Sequence, residues 1–274
     1  MLKPHDFFDL EGNFFASLFD DAEYVWDGLK RIKMFIENAI QPNIADLRNR
    51  GPVLDNTVVL HEGAVFESGF KVKQGNVNKG ELKIEKDGQV LEGASVLYAG
   101  AVLMDDRIQV GKGCVVEPGA LIKGPAVILD RTEIRQGAYI RGDVLIGEAC
   151  VVGHATEVKC SVMLGGSKAG HFAYVGDSLL GRVNLGAGTK LANLKIVESE
   201  VFVHLKGEKH KTGLKKFGAV LGDGVETGCN SVTSPGTLLG KGVIVYPNAY
   251  VRGYHPPKTI IKLKQNQKIR KSPG

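Results

Sequence analysis

The sequence predicts an all-β fold, a solenoid of short parallel strands wound around a triangular core, and three observations predict it. Aliphatic residues recur at every sixth position: Val110, Val116, Ile122, Ile128, Ile134, Ile140, Ile146, Val152, Val158 and Leu164. A small or modest side chain stands four residues after most of them, as at Cys114, Ala120, Ala126, Ala138, Cys150 and Thr156. The 36 glycines exceed an ordinary share of about 7% with no collagen-like triplet period, which requires many tight turns.

A period of six is neither helical nor alternating. It fits a hexad of strand plus turn, with three hexads closing one coil. Residues eighteen apart then stack about 4.8 Å from one another, so Val110, Ile128, Ile146 and Leu164 are expected in one interior column. Each fully buried aliphatic contributes roughly 1.5–3 kcal/mol before chain entropy is counted.

Residues 1–50 form an N-terminal helical segment. Its stretch DAEYVWDGLKRIKMFIENAI sets Val25, Trp26, Leu29, Ile32, Ile36 and Ile40 along one apolar stripe. The helix is expected to pack on the solenoid and cap its first coil, whose edge would otherwise be exposed. Residues 51–255 carry the solenoid: a faint trace at Leu54, Leu60 and Phe66, the unbroken run, and a return at Leu221, Thr227, Thr233, Leu239, Val245 and Val251. Two excursions interrupt it. Residues 67–97 contain a hairpin signal at Asp87-Gly88, and residues 194–217 form a basic insertion. Long loops leaving a rigid scaffold often carry function.

Residues 256–274 form a basic tail with Lys258, Lys262, Lys264, Lys268, Arg270 and Lys271 and no acid, so the rest of this +5 chain is near −1. No nucleic-acid partner is expected, because the body is not a polyanion binder, and the tail reads as a solvated terminus. The four cysteines show neither a CxxC pair nor the spacing of a disulfide framework. The N-terminus has acids where a signal peptide would be apolar, and no stretch approaches the roughly 20 apolar residues of a membrane span. A soluble, reduced, cytoplasmic protein is expected.

The eighteen-residue spacing also places charge. Lys123, Arg141 and Lys159 each follow a core aliphatic directly and are eighteen apart, which makes a ladder of cations at one corner. Like charges on adjacent strands repel, by roughly 4 kcal/mol at 4 Å and an effective dielectric near 20. A phosphate would offset this, with arginine as a fork and lysine as a point charge. The alternative is that the side chains spread into water, screened by Glu157 or Asp143. Just beyond the ladder, KAGHFAYVGD (168–177) suspends the repeat and puts His171, Tyr174 and Asp177 where small residues and glycine had stood.

The segments IGEACV and VGKGCV resemble the hexapeptide-repeat family, and with it the left-handed parallel β-helix, in which a trimer of prisms sets sites between neighbours. EVKCSVMLGGSKAGHFAYVGDSLLGRVNLGAGTKLAN (157–193) is similar to the acetyltransferase half of the bacterial bifunctional enzyme that makes UDP-N-acetylglucosamine. The resemblance is dense from Gly137 to Lys216. It implies an acetyl-CoA-dependent N-acetyltransferase of a glucosamine-1-phosphate-like amino sugar or nucleotide sugar, with no metal in the transfer step. His171 would be the general base, suited by an imidazole pKa of about 6.5. Arg141 and Lys159 would bind phosphate, with Lys123 extending the ladder. Tyr174, Asn184 and Asn193 would hold the sugar, and Lys216 would reach it from a neighbouring subunit of a homotrimer. Cys229, where the family has a serine, would sit at the acyl donor.

The chain departs from that family in two further ways: it is one residue shorter between Asp177 and Asn184, and the nucleotide-transferring half is absent. The second departure motivates another reading, a non-catalytic sugar-nucleotide-binding partner of a separate nucleotidyltransferase. Of the remaining histidines, His154 is expected in solvent on a turn, and His204 and His210 have no ligand partner in register. Cys114 and Cys150, thirty-six apart, are expected as small fillers of one interior column. A three-histidine metal site is not expected: His154 and His171 are seventeen apart, and no third histidine is evident in register.

Overall fold

A computed structural model describes residues 2–49 and 51–272. Met1, Arg50, Pro273 and Gly274, which fall in the expected N-terminal segment and basic tail, lie outside the described residues. Among the described residues the strands form sheets of eleven, eight and eight members, with smaller sheets of three and two. The three large sheets are the sides of a parallel β-helix: a long face, an open face and a covered face. Consecutive strands fall on different faces, as Tyr139–Arg141 lies in the open face, Val144–Ile146 in the covered face and Val151–His154 in the long face.

The register follows the period of six through the middle of the chain. Ile122 pairs with Ile140, and Val110 pairs with Ile128, which pairs with Ile146. The next member of that column is Met163, not Leu164. Two residues, Gly142 and Asp143, turn the corner after Arg141, whereas Cys160 alone turns it between Lys159 and Ser161, with φ +43°. That coil has seventeen residues, and the following step, Lys168 to Asn184, has sixteen. Leu164 is thereby turned outward and buried in a second apolar cluster.

Interior turns are filled by small side chains whose polar atoms are satisfied locally. Cys114 N–H donates to Ser95 Oγ at 2.8 Å, and Cys150 N–H donates to Thr132 Oγ1 at 3.2 Å. Burial pushes the thiols of Cys114 and Cys150 up to about 12, so they are inert packing groups. At Gly153 a Cβ would lie 1.6 Å from the Gly170 carbonyl oxygen, so only glycine permits adjacent coils to approach so closely just before His154 and His171.

The N-terminal helix spans Asp27–Ala39, starting six residues later than the start of the apolar stretch at Asp21. Asp27 accepts from Tyr24 N–H at 2.9 Å and from Lys30 Nζ at 2.8 Å, which fixes the first turn. Tyr24 stacks on Trp26, with centroids 4.5 Å apart. The expected capping of the first coil is corrected. Trp26, Ile32 and Ile36 pack with Phe7 and Phe8 on the outward row Val127, Leu145, Val162, Leu179, Val220 and Leu238 of the covered face. That row is apolar and continuous, so it offers more area to bury than the prism's end. Ile44, Leu47 and Leu54 close the end instead, in the same cluster as the first coil.

Phe66 does not continue the repeat either. Val58–His61 and Ala64–Phe66 form an antiparallel hairpin at the sheet's edge, and Phe66 joins Val59, Val96 and Ile84 under the first excursion. Within that excursion Lys86 pairs with Gln89 across Asp87 and Gly88. The second excursion is a hairpin, Phe202–Leu205 against Glu208–Lys211, whose Val201, Val203 and Phe217 join the covered-face cluster. At the far end Ile260–Ile261 pairs with Ile244–Val245, so coiling runs six residues past position 255. No helix among the described residues is long and apolar enough to cross a membrane.

Candidate active site on the open face

Each open-face strand sends one residue inward and its two neighbours outward. Tyr139 pairs with Glu157, and Glu157 with Tyr174, which pairs with Lys190. These form one outward row. The other begins with Lys123, paired with Arg141, and continues to Lys159, paired with Gly176. The cation ladder is therefore real in its backbone placement, and the chain's own acids offset its repulsion. Arg141 Nη1 donates to Glu157 Oε1 at 2.5 Å, and Lys159 Nζ donates to Asp177 Oδ2 at 2.9 Å. Lys123 Nζ and Arg141 Cζ lie 5.6 and 5.7 Å from the centroid of the Tyr139 ring.

The two ion pairs differ in kind. Arg141 and Glu157 are 44% and 30% exposed, a surface pair contributing about 0–1 kcal/mol. Lys159 and Asp177 are 13% and 14% exposed, so removing one partner strands a mostly buried charge. Burial works to lower the pKa of Lys159, but the hydrogen bond and charge of Asp177 outweigh it and hold the ammonium above the usual lysine range. Burial raises the Tyr174 phenol, against the opposing charge of Lys159, and keeps it a hydrogen-bond donor.

Tyr174 folds over Gly176. A Cβ at Gly176 would lie 2.5 Å from Tyr174 Oη and 2.9 Å from Asn193 Nδ2, so this glycine makes room for both groups. Asn193 Nδ2 donates to Asp177 Oδ2, the oxygen that also receives Lys159. Lys216 lies beside Asn193 in the same chain: Leu194 bridges to Lys216, and Phe217 N–H donates to the Asn193 carbonyl at 2.9 Å.

His171 ends the strand Lys168–His171 at the other edge of the open face, where the long face turns into it. It is exposed and five residues from Gly176, at most roughly 17 Å along extended chain. Tyr174 lies between them in sequence. His154 pairs with His171 in register, because the coil lost a residue at Cys160. Seventeen residues are thus one full turn here. His154 is not simply solvated: its Nδ1 lies 3.0 Å from the Gln136 carbonyl, and its ring meets Phe172 edge-on at 5.2 Å. Among the described residues no group of three His, Cys, Asp or Glu side chains could hold a metal.

Two predicted residues stand apart from the Lys159 cluster. Asn184 is exposed on the long face, paired with Lys168 and Glu226. Cys229 is exposed at the His171 corner, next to Asn230, whose N–H donates to the Ala187 carbonyl at 2.8 Å. One residue that the sequence singled out without a role stands at the centre of this cluster. Asp177 binds both Lys159 and Asn193, and its signal was an acid standing eighteen residues after a ladder lysine.

Residues 122–269 match the family model described as the GMPPB C-terminal domain. A bifunctional sugar-1-phosphate nucleotidylyltransferase/acetyltransferase of Sulfurisphaera tokodaii is 46% identical over 98 residues, 35% of this chain and 24% of that protein. The bifunctional protein GlmU of Stutzerimonas stutzeri is 28% identical over 193 residues, 66% of this chain and 38% of that protein. The chain thus spans about a quarter to two-fifths of these relatives' lengths. Among solved structures, PerB from Caulobacter crescentus in complex with CoA and GDP-perosamine is 17% identical, with a TM-score of 0.23, covering 59% of this chain and 54% of that one.

Proposed function

The chain belongs to the family of the GMPPB C-terminal domain, and from that premise we propose that it is an acetyl-CoA-dependent N-acetyltransferase acting on an amino-sugar phosphate. The observation that carries this reading is the corner that gathers Lys159, Tyr174 and Asn193 on the face whose other edge bears His171. The first three are groups the resemblance assigns to the acceptor. The relative of Sulfurisphaera tokodaii, named as a bifunctional nucleotidylyltransferase/acetyltransferase, lends support.

In the proposed reaction the acceptor's phosphate lies against Arg141 and Lys159, sharing them with Glu157 and Asp177, and Lys123 extends the same field. Tyr174 donates to a sugar oxygen, and Asn193 orients the ring. Asn184 and Cys229 belong to a neighbouring subsite near His171, Cys229 against the acyl donor. His171 accepts a proton as the amine nitrogen attacks the thioester carbonyl, forming the C–N bond. The C–S bond then breaks, the thiolate takes up that proton, and neutral imidazole is restored. A homotrimer would let Lys216 of one copy approach the acceptor bound to the next. The four cysteines are free, which suits a reducing cytoplasm.

Incubation with acetyl-CoA and glucosamine-1-phosphate, following free thiol, tests the proposal. Turnover is expected. Silence across a broad panel of amino-sugar phosphates and nucleotide sugars would overturn it. The second reading, a sugar-nucleotide-binding partner of a separate nucleotidyltransferase, is motivated by the first relative's name, which joins nucleotidylyltransferase and acetyltransferase. Binding of UDP-sugars without acyl transfer would select that reading.

A further inference from the structure

We infer that Asp177 is a positioning residue of this site: its carboxylate fixes where Lys159 and Asn193 stand, and through them where the acceptor's phosphate is held. The inference rests on the reading that this corner takes a phosphorylated ligand.

Three successive coils meet here. Lys159 comes from the first, Asp177 from the second and Asn193 from the third, and a single atom, Asp177 Oδ2, receives both neighbours. Lysine carries a flexible four-carbon stem and makes no planar fork, so its ammonium is a defined binding point only where something holds it. Asp177 is itself held. Its N–H donates to the Lys159 carbonyl at 3.0 Å, and its own carbonyl accepts from Gly218 N–H at 2.8 Å. Its φ of +48° sets it in the left-handed region at the corner after the strand Tyr174–Gly176. The carboxylate is therefore a fixed post between the two groups it holds, Lys159 and Asn193. A purely structural ion pair would need none of the Asn193 contact.

The test compares Asp177→Asn, Asp177→Glu, Lys159→Gln and the double variant Asp177→Asn/Lys159→Gln in the full chain. The readouts are steady-state kinetics with acetyl-CoA and glucosamine-1-phosphate and calorimetric titration with inorganic phosphate. Asp177→Asn should raise the acceptor KM about tenfold, leave kcat within about threefold, and weaken phosphate to a similar degree. Asp177→Glu, which keeps the charge, should recover most of that loss. The double variant should match Lys159→Gln, because Asp177 acts through the lysine. An unchanged KM, or losses that multiply in the double variant, overturns the inference while leaving the acetyltransferase standing. If Asp177→Asn does not fold, Asp177→Glu and the Lys159→Gln phosphate titration decide it: wild-type phosphate affinity in Lys159→Gln overturns it. A wild type that transfers no acetyl group but binds phosphate in a Lys159- and Asp177-dependent way sinks the functional reading alone. One that does neither sinks both.

Discussion

The covered face and the open face share one backbone and one core, yet they meet the outside in opposite ways. Inward, Ile128, Ile146 and Met163 on the covered side are matched by Ile122, Ile140 and Val158 on the open side, all fully buried. Outward, the covered face presents Val127, Leu145 and Val162, and the N-terminal aromatic segment lies over them. The open face presents Tyr139, Glu157 and Tyr174, with charged side chains at its corner. The inner row thus decides that a coil forms, and the outer row decides whether a face is sealed or left to meet a ligand. Substitutions on the two faces should accordingly fail in different measurements.

The largest expected effect is on the open side. His171→Ala should cut acetyl transfer by about 10²–10⁴-fold, the range of general-base catalysis, while its melting temperature stays near wild type because His171 is exposed. Wild-type turnover in that variant would end the assignment. On the covered side Trp26→Ala should cost about 3–5 kcal/mol in denaturant unfolding followed by circular dichroism, since Trp26 is wholly buried. A loss below about 1 kcal/mol would mean the segment is a loose cover and not part of the core.

Gly176→Ala should act on function with little effect on folding. Its Cβ displaces Tyr174 Oη and Asn193 Nδ2, so kcat/KM should fall by about 1–2 kcal/mol. The smallest effects concern the thiols, read by alkylation and mass spectrometry of native protein. Exposed Cys229 should react first. Cys160 should lag, because burial and then the Asp177 carboxylate raise its pKa. Cys114 and Cys150, pushed to about 12, should remain unlabelled until the chain unfolds. Early labelling of Cys150 would contradict its place in the interior.

Much of the prism was legible because a buried column tolerates few residue types, so Ile122, Ile140 and Val158 announce their own spacing. The shortened coil was not legible, for a physical reason. Met163 and Leu164 are both apolar, and both are buried, one inside the prism and one beneath the N-terminal segment. A period of six therefore passes through the deletion unnoticed. The ladder was legible from spacing. Of its counter-charges, Glu157 was legible and Asp177 was not, because Asp177 reaches Lys159 diagonally between rungs and not from the same position one turn away. The apolar stripe of the N-terminal helix announced burial but could not say against what, since the end and the side of the prism are both apolar.

The second excursion leaves the scaffold at Leu194 and rejoins it at Lys216, and these two residues bridge each other. The stalk is closed before the hairpin begins, and Val201 and Val203 pin the hairpin's root to the covered-face cluster, so chain added at its tip does not disturb the coils. Doubling such a closed loop costs only about 0.6 kcal/mol in closure entropy. The molecule therefore has, near Asn193, an anchored arm whose tip at Lys206-Gly207 can be lengthened or exchanged while the winding beneath it stays intact.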